Sequence, residues 1–315
     1  VSTVAAQVHR HDDWPVADLV AAKARTGLTV SVVIPARDEE STVGAVVDAV
    51  RRAWIDETPL IDELVVIDSD SVDATAQQAR AAGATVHAAA RVRPDLTPAR
   101  GKGEALWKSL HVTRGDILVF LDADLLDWGP HFVPGLLGPL LTTPEVQLVK
   151  AVYHRPMLTP DGHEAESGGR VTELVARPLL ALHFPELASV VQPLSGEWAI
   201  RRTAFEQLSV PVGYGVEIAA LVDIAAGHGA PGVAQVDLGR RTHRHHRHDT
   251  LGPMAVQVMA AIERRLGTRD GDPSAVALHQ FDPVPEGFRS RRTDVDIAER
   301  PPAITVAGYG GEVQS

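Results

Sequence analysis

The chain has 315 residues, 44% hydrophobic and 23% charged, a composition that allows one large α/β domain or two small ones. A net charge of -11 with no cysteine argues against general nucleic-acid binding and excludes disulfides, zinc thiolates and a cysteine nucleophile. No apolar run reaches the roughly 20 residues needed to span a bilayer, and the first residues lack a signal-peptide core, so a cytoplasmic protein without membrane attachment is expected.

Residues 1–28 read as an N-terminal arm, with a short helix over Val16–Ala24 stopped by Gly27. Thr29–Ile34 then reads as the first buried strand, running into Pro35-Ala36-Arg37-Asp38-Glu39-Glu40 and a helix over Ser41–Trp54. Glu63–Ile67 is a second strand, ending in Asp68-Ser69-Asp70-Ser71, and Asp73–Ala82 a helix closed by Gly83. After a weak strand, Ala84–Ala88, comes a basic loop with Arg91, Arg93, Arg100 and Lys102, then a helix over Gly103–Thr113. Ile117–Leu121 is apolar at every position, the mark of a strand buried on both faces, and it stops abruptly at Asp122-Ala123-Asp124. Strands alternating with helices predict a mainly parallel sheet with right-handed crossovers.

In such sheets ligands gather at the carboxyl ends of the strands. Acids stand at three of them: Glu39, then Asp68 and Asp70, then Asp122 and Asp124. Asp122 and Asp124 can share one face of their strand, where two like charges call for a hard divalent cation that could also hold a diphosphate. Neither a GxGxxG turn nor a Walker A loop is present, which argues against a dinucleotide fold or a P-loop. Loop acids are also ordinary at helix starts, where the macrodipole favours them, and Asp73 and Glu40 fit that plainer role.

The second half is less regular. Val146–Tyr153 reads as a strand and Pro156–Gly168 as a polar loop. Gly168-Gly169-Arg170-Val171-Thr172 opens a helix to His183, a place where backbone N–H groups and a guanidinium can meet an anion. QPLSGEWAIRR is a turn feeding a strand, and GYGVE opens a helix with Glu217 in its first turn. Val233–Leu238 is a strand followed by a tract rich in histidine and arginine that holds His243, His245, His246 and His248, a composition that suits metal or anion binding. Met254, Val258 and Ile262 form a helical stripe for packing on the sheet or on a second subunit. From Gly267 the chain turns polar and proline-rich, a loosely structured tail.

VVIPARDEEST, LVVIDSDSVDAT, GKGEALW and a strand ending in DAD, in that order, resemble glycosyltransferases of the GT-A fold. GKGEALWKSL, GGRVTELVARPLL, QPLSGEWA and GYGVEI are similar to glucosyl-3-phosphoglycerate synthases of actinobacteria, over about Val30–Leu266. The resemblance implies an α/β GT-A fold with residues 29–145 as the nucleotide-sugar half, 146–266 as the acceptor half and 267–315 as a tail. It implies donor contacts from Pro35, Ala36, Glu39, Asp68, Ser69, Lys102 and Asp122. Gly169, Arg170 and Thr172 would bind the acceptor. Asp124 and His243 would hold Mg²⁺ or Mn²⁺, and Asp122, Lys102 and Glu217 would carry the catalytic roles. The implied reaction is configuration-retaining transfer of glucose from UDP-glucose to the 2-hydroxyl of 3-phosphoglycerate, by a homodimer.

The chain departs from that pattern at Asp70, where a small residue is more common, at His245, in place of an asparagine, and in a shortened loop carrying His163, Glu164 and Glu166. These changes leave room for a second reading, a GDP-linked donor with another small hydroxyl or thiol acceptor. Two readings of other classes are a nucleotide-sugar-binding protein without catalysis and a nucleotidyltransferase, although PARDEE is not the glycine-rich first loop of the latter.

Overall fold

The computed structural model describes residues 8–154, 156–158, 164–166, 169–243, 248–268, 274–285 and 287–310. It opens with β1 (His9–Arg10) and α1 (Val16–Thr26). Gly27, at φ 69°, ends α1 by donating its N–H to the Lys23 carbonyl. β2 (Val30–Ala36), α2 (Val43–Arg51), β3 (Glu63–Asp68), α3 (Thr75–Ala81), β4 (Thr85–Ala88), α4 (Lys102–Ser109) and β5 (Ile117–Phe120) alternate as the sequence predicts. Next come β6 (Leu125–Asp127), α5 (Phe132–Thr142), β7 (Leu148–His154), β8 (Pro156–Leu158) and β9 (Glu164–Glu166). A π-helical turn, Thr172–Ala176, runs into α6 (Arg177–His183). β10 (Trp198–Arg201), α7 (Arg202–Phe205), β11 (Val210–Pro211), α8 (Val216–His228), β12 (Val233–Arg240), β13 (Thr242–His243) and α9 (His248–Leu266) follow, and then β14 (Ala275–Val284), β15 (Gly287–Asp296) and β16 (Glu299–Arg300).

The central sheet has the order β1-β12-β7-β10-β5-β2-β3-β4. β10 runs against both β7 and β5, and the other neighbouring pairs are parallel. Alternation along the strands divides the core in two. Val30, Val32 and Ile34 of β2 and Ile117 and Val119 of β5 join α1, α2 and α5 on one face. Val33, Leu118 and Phe120 join α4, α8 and α9 on the other. Burial on both sides is why these strands are apolar at nearly every position.

Two expectations change, and one pair of alternatives is narrowed. The polar loop over 156–168 contains the antiparallel pair β8–β9, although His163, like His245, lies outside the described residues. The stripe on α9 faces its own fold: Val258 and Ile262 are fully buried and pack in the core that α8 lines. The tail is built rather than loose. β14 and β15 form a ten-pair hairpin, β16 pairs with β11, and Ala303 is buried in the core. Arg300 forks onto the buried Glu104 of α4 at 2.6 and 2.7 Å, and Trp107 of α4 donates to the Pro301 carbonyl at 2.9 Å. The segment that read as a loose tail therefore holds the helix that begins with Lys102.

Candidate active site

The carboxyl ends of β2, β3 and β5 bring the strand-end acids into one region. Register places Pro35 beside Ile67 and Ala36 beside Asp68, and Ser69 donates its N–H to the Ala36 carbonyl at 2.8 Å. Pro35, Ala36, Asp68 and Ser69 thus form one continuous ledge. Asp68 is buried, and among the described residues its Oδ1 has no hydrogen-bond partner. A buried carboxylate oxygen without a donor is costly, so it suits an N–H or O–H brought by a ligand. Glu39 follows on the next loop, which is fixed by its N–H to Thr75 Oγ1 at 2.7 Å. Asp70 sits in the left-handed region at φ 60°, a conformation aspartate tolerates. Its carboxylate faces Arg100 at 3.5 Å, so the extra charge already has a partner.

Lys102 is fixed by a close backbone approach. A Cβ on Gly103 would stand 1.8 Å from the Pro211 carbonyl oxygen, so only glycine lets α4 start there. Its neighbour Glu104 donates its N–H to the Val212 carbonyl at 2.9 Å. Lys102 Nζ reaches Asp122 Oδ1 at 2.6 Å and Glu217 Oε1 at 2.9 Å. Burial opposes its charge, but Asp122 and Glu217 outweigh burial and hold the ammonium well above its ordinary pKa.

Arg241 completes the cluster from just beyond β12. Its Nη2 lies 2.8 Å from Asp122 Oδ2, 2.9 Å from Glu197 Oε1 and 3.9 Å from Asp124 Oδ1, and its Nη1 donates to Tyr153 Oη at 2.8 Å. Asp122 is therefore clamped between two cations. Burial alone would raise its pKa; Lys102 and Arg241 win and hold it well below the usual carboxylate range. A Cβ on Gly196 would fall 2.2 Å from Asp122 Oδ2 and 2.8 Å from Lys102 Nζ, so this turn also requires glycine. Beneath it, fully buried Lys150 donates to the Ser195 carbonyl at 2.9 Å. Burial pushes Lys150 down to about 7, against the pull of Glu217 and Glu197.

Sequence reasoning found Asp122, Lys102 and Glu217, and the structure joins them directly. It missed Arg241, Glu197 and Lys150. Lys150 left one signal, a lysine inside the otherwise apolar run LVKAVY. Arg241 was hidden by the basic tract around it. Gly169, Arg170 and Thr172 lie where the chain enters the π-helical turn, Arg170 exposed and Thr172 buried, on a segment that packs against α9.

The backbone geometry suits a hard divalent cation. His243 pairs with Leu125 across β13 and β6, so it stands beside the residue that follows Asp124. The His243 side chain lies outside the described residues. Four acids, Asp122, Asp124, Glu197 and Glu217, face three cations, Lys102, Lys150 and Arg241. Excess carboxylate at the end of β5 suits a hard cation such as Mg²⁺ or Mn²⁺ completed by phosphate and water, and among the described residues no group of three or more histidine, aspartate or glutamate side chains is placed to hold one by itself.

Residues 31–208 match glycosyl transferase family 2. The chain belongs to that family. This glycosyltransferase is 49% identical over 293 residues to the glucosyl-3-phosphoglycerate synthase of Mycolicibacterium smegmatis, covering 93% of this chain and 94% of that one. It is 40% identical over 296 residues to the enzyme of the same name from Petrotoga mobilis, covering 93% and 91%. The crystal structure of glucosyl-3-phosphoglycerate synthase from Mycobacterium tuberculosis with Mn²⁺, UDP and phosphoglyceric acid superposes with a TM-score of 0.83 at 44% identity, over 94% of this chain and 96% of that one. The GT-A-type α/β fold expected from the sequence is borne out, and so is a glycosyltransferase activity. No helix among the described residues is long and apolar enough to cross a membrane.

Proposed function

We propose that this glycosyltransferase moves glucose from UDP-glucose to the 2-hydroxyl of 3-phosphoglycerate with retention at the anomeric carbon. The observation that carries the reading is Asp122 held ionised between Lys102 and Arg241 at the end of β5. The relatives support it: related crystal structures hold Mn²⁺ with UDP-glucose, and Mg²⁺ with UDP. Residues 29–145 hold the donor and 146–266 the acceptor. Pro35, Ala36, Glu39 and Ser69 line the nucleotide pocket, and the unmet Asp68 Oδ1 accepts from the base or ribose. Asp124 and His243 would hold Mg²⁺ or Mn²⁺, which when bound neutralises the leaving diphosphate.

Lys102, kept protonated by its two acids, stands where negative charge develops as the sugar–phosphate bond breaks. Asp122 accepts hydrogen bonds from the sugar, and Glu217 stabilises positive character at the anomeric carbon. Neither is assigned as a nucleophile. The acceptor 2-hydroxyl oxygen bonds to the anomeric carbon on the face the diphosphate leaves, the sugar–phosphate bond breaks, and the hydroxyl proton passes to the departing phosphate oxygen. Gly169, Arg170 and Thr172 fix the acceptor's anionic groups beside it, with guanidinium forking onto carboxylate or phosphate. Asp70, one of the three departures behind the GDP-linked alternative, faces Arg100 at 3.5 Å, and a related crystal structure holding UDP-glucose supports the uridine donor. We also read the protein as a cytoplasmic homodimer, since the β14–β15 hairpin leaves Phe281 and Phe288 exposed.

Proton NMR of the product tests the stereochemistry. An α-linked glucosyl group on the 2-oxygen is expected; a β-linked product, or glucose on another atom, would contradict the proposal.

A further inference from the structure

The basic loop singled out in the sequence is only partly used by the reaction site. Lys102 enters the acid cluster and Arg100 faces Asp70. Arg91 and Arg93 turn elsewhere. They line a groove of about 1200 Å³ beside edge strand β4, together with Arg80, Arg114 and Arg202. Two acids, Asp95 and Glu206, share it. Five arginines against two carboxylates leave an excess of three positive charges, in a chain whose net charge is -11.

The groove's walls are fixed, and its rim cations are not neutralised. Asp95 is taken by Arg93, Nε to Oδ1 at 2.8 Å and Nη2 to Oδ2 at 2.6 Å. Glu206 accepts from Tyr309 Oη at 2.7 Å. Arg202 is held by the Gly115 carbonyl, the Leu110 carbonyl and Thr113 Oγ1. His111 lies between Trp107, tilted with ring centroids 4.7 Å apart, and Tyr309, edge-on at 5.3 Å. Burial, helped by Arg93, pushes His111 down to about 4, so its ring is neutral at physiological pH. Arg80, Arg91 and Arg114 are exposed. Among the described residues no carboxylate lies within ion-pairing distance of these three; Arg80 has only a 3.4 Å bond to the Ala76 carbonyl.

We propose that this groove is a second anion site, for a small phosphorylated metabolite, separate from the donor and acceptor sites. Guanidinium matches phosphoryl oxygens in pairs, and three such groups without acid partners around one fixed groove supply the charge for a multiply ionised phosphate. The groove shares no residue with the Lys102–Asp122–Arg241 cluster. It meets α4 at its far end, through residues 110–114, whereas Lys102 begins that helix.

Calorimetric titration of the full chain with pyrophosphate in EDTA tests the site. Wild type, Arg170→Ser and the double variant Arg91→Ser/Arg114→Ser are compared. Saturable one-site binding is expected in wild type and in Arg170→Ser. In the double variant affinity should fall about tenfold or more, the size of losing charged hydrogen bonds, with melting temperature and basal turnover unchanged. If the double variant folds poorly, Arg80→Ser is titrated instead and should weaken binding severalfold. Absence of saturable binding in wild type would overturn the proposal. So would loss of binding in Arg170→Ser with none in the double variant, which would place the pyrophosphate in the acceptor site.

Discussion

Asp122 has a geometry that can be disturbed without removing any charge. Gly196→Ala puts a methyl group into the space of Asp122 Oδ2 and Lys102 Nζ. Misplacement of reacting groups by about 1 Å costs on the order of 10²-fold in rate. Gly196→Ala should therefore lower kcat by about that factor, as steady-state kinetics would show; wild-type kcat would mean the clamp is not needed. Lys150 offers a pH test. Its folded pKa, about 7, lies below its ordinary 10.5. Between those values the unfolded chain binds more protons, so this group's contribution to stability improves as pH rises through that window and is least favourable below about 7. The difference in melting temperature between Lys150→Met and wild type should shift in the variant's favour from pH 9 to pH 6. An equal difference at both pH values would contradict the burial argument. Of these residues only Asp122 and Lys102 announced themselves in the sequence. Arg241, Glu197 and Gly196 become meaningful only when β5, β10 and the end of β12 are brought side by side.

Helix α4 shows how an element far away in sequence holds a reacting group. Its polar side is fastened by the C-terminal segment, through Arg300 on Glu104 and the Pro301 carbonyl on Trp107. Breaking a buried ion pair by removing one partner costs about 3–5 kcal/mol, and Lys108, 3.2 Å from Glu104, offsets part of that. Arg300→Met should lose about 3 kcal/mol in urea unfolding; a loss below about 1 kcal/mol would show that the clamp is idle. The strands and most helices were legible because burial on two faces writes continuous apolar runs. Others were not, α5 and the β14–β15 hairpin among them. α5 carries Pro134, Gly135, Gly138 and Pro139, a composition that argues against a helix. It survives because it is buried almost throughout, and because Gly138 leaves room for the Trp14 indole, whose atoms would lie 2.3 Å from a Cβ there. The β14–β15 hairpin was read as tail because most of its residues remain exposed and its inward alternation carries few apolar side chains, Val276, Leu278 and Val295.

The whole molecule combines the central sheet with a long hairpin that packs one side on α9 through Val276, Leu278 and Val295. On the opposite side Phe281 and Phe288 stay exposed, 63% and 76%, two neighbouring aromatics that suit a subunit contact. Light scattering should give twice the chain mass for wild type and a lower mass for Phe281→Ser/Phe288→Ser; a wild-type monomer at micromolar concentration would contradict the homodimer. The amphipathic stripe of α9, which in the sequence suited either the sheet or a second subunit, gives the homodimer no support, because Val258 and Ile262 are buried inside their own chain. The most direct test of the account is nucleoside diphosphate release by the purified protein with Mn²⁺. Release from UDP-glucose should appear only when 3-phosphoglycerate is present, and GDP-glucose should give little. Release from UDP-glucose that ignores 3-phosphoglycerate, or release from the GDP-sugar alone, would contradict the assignment of donor and acceptor.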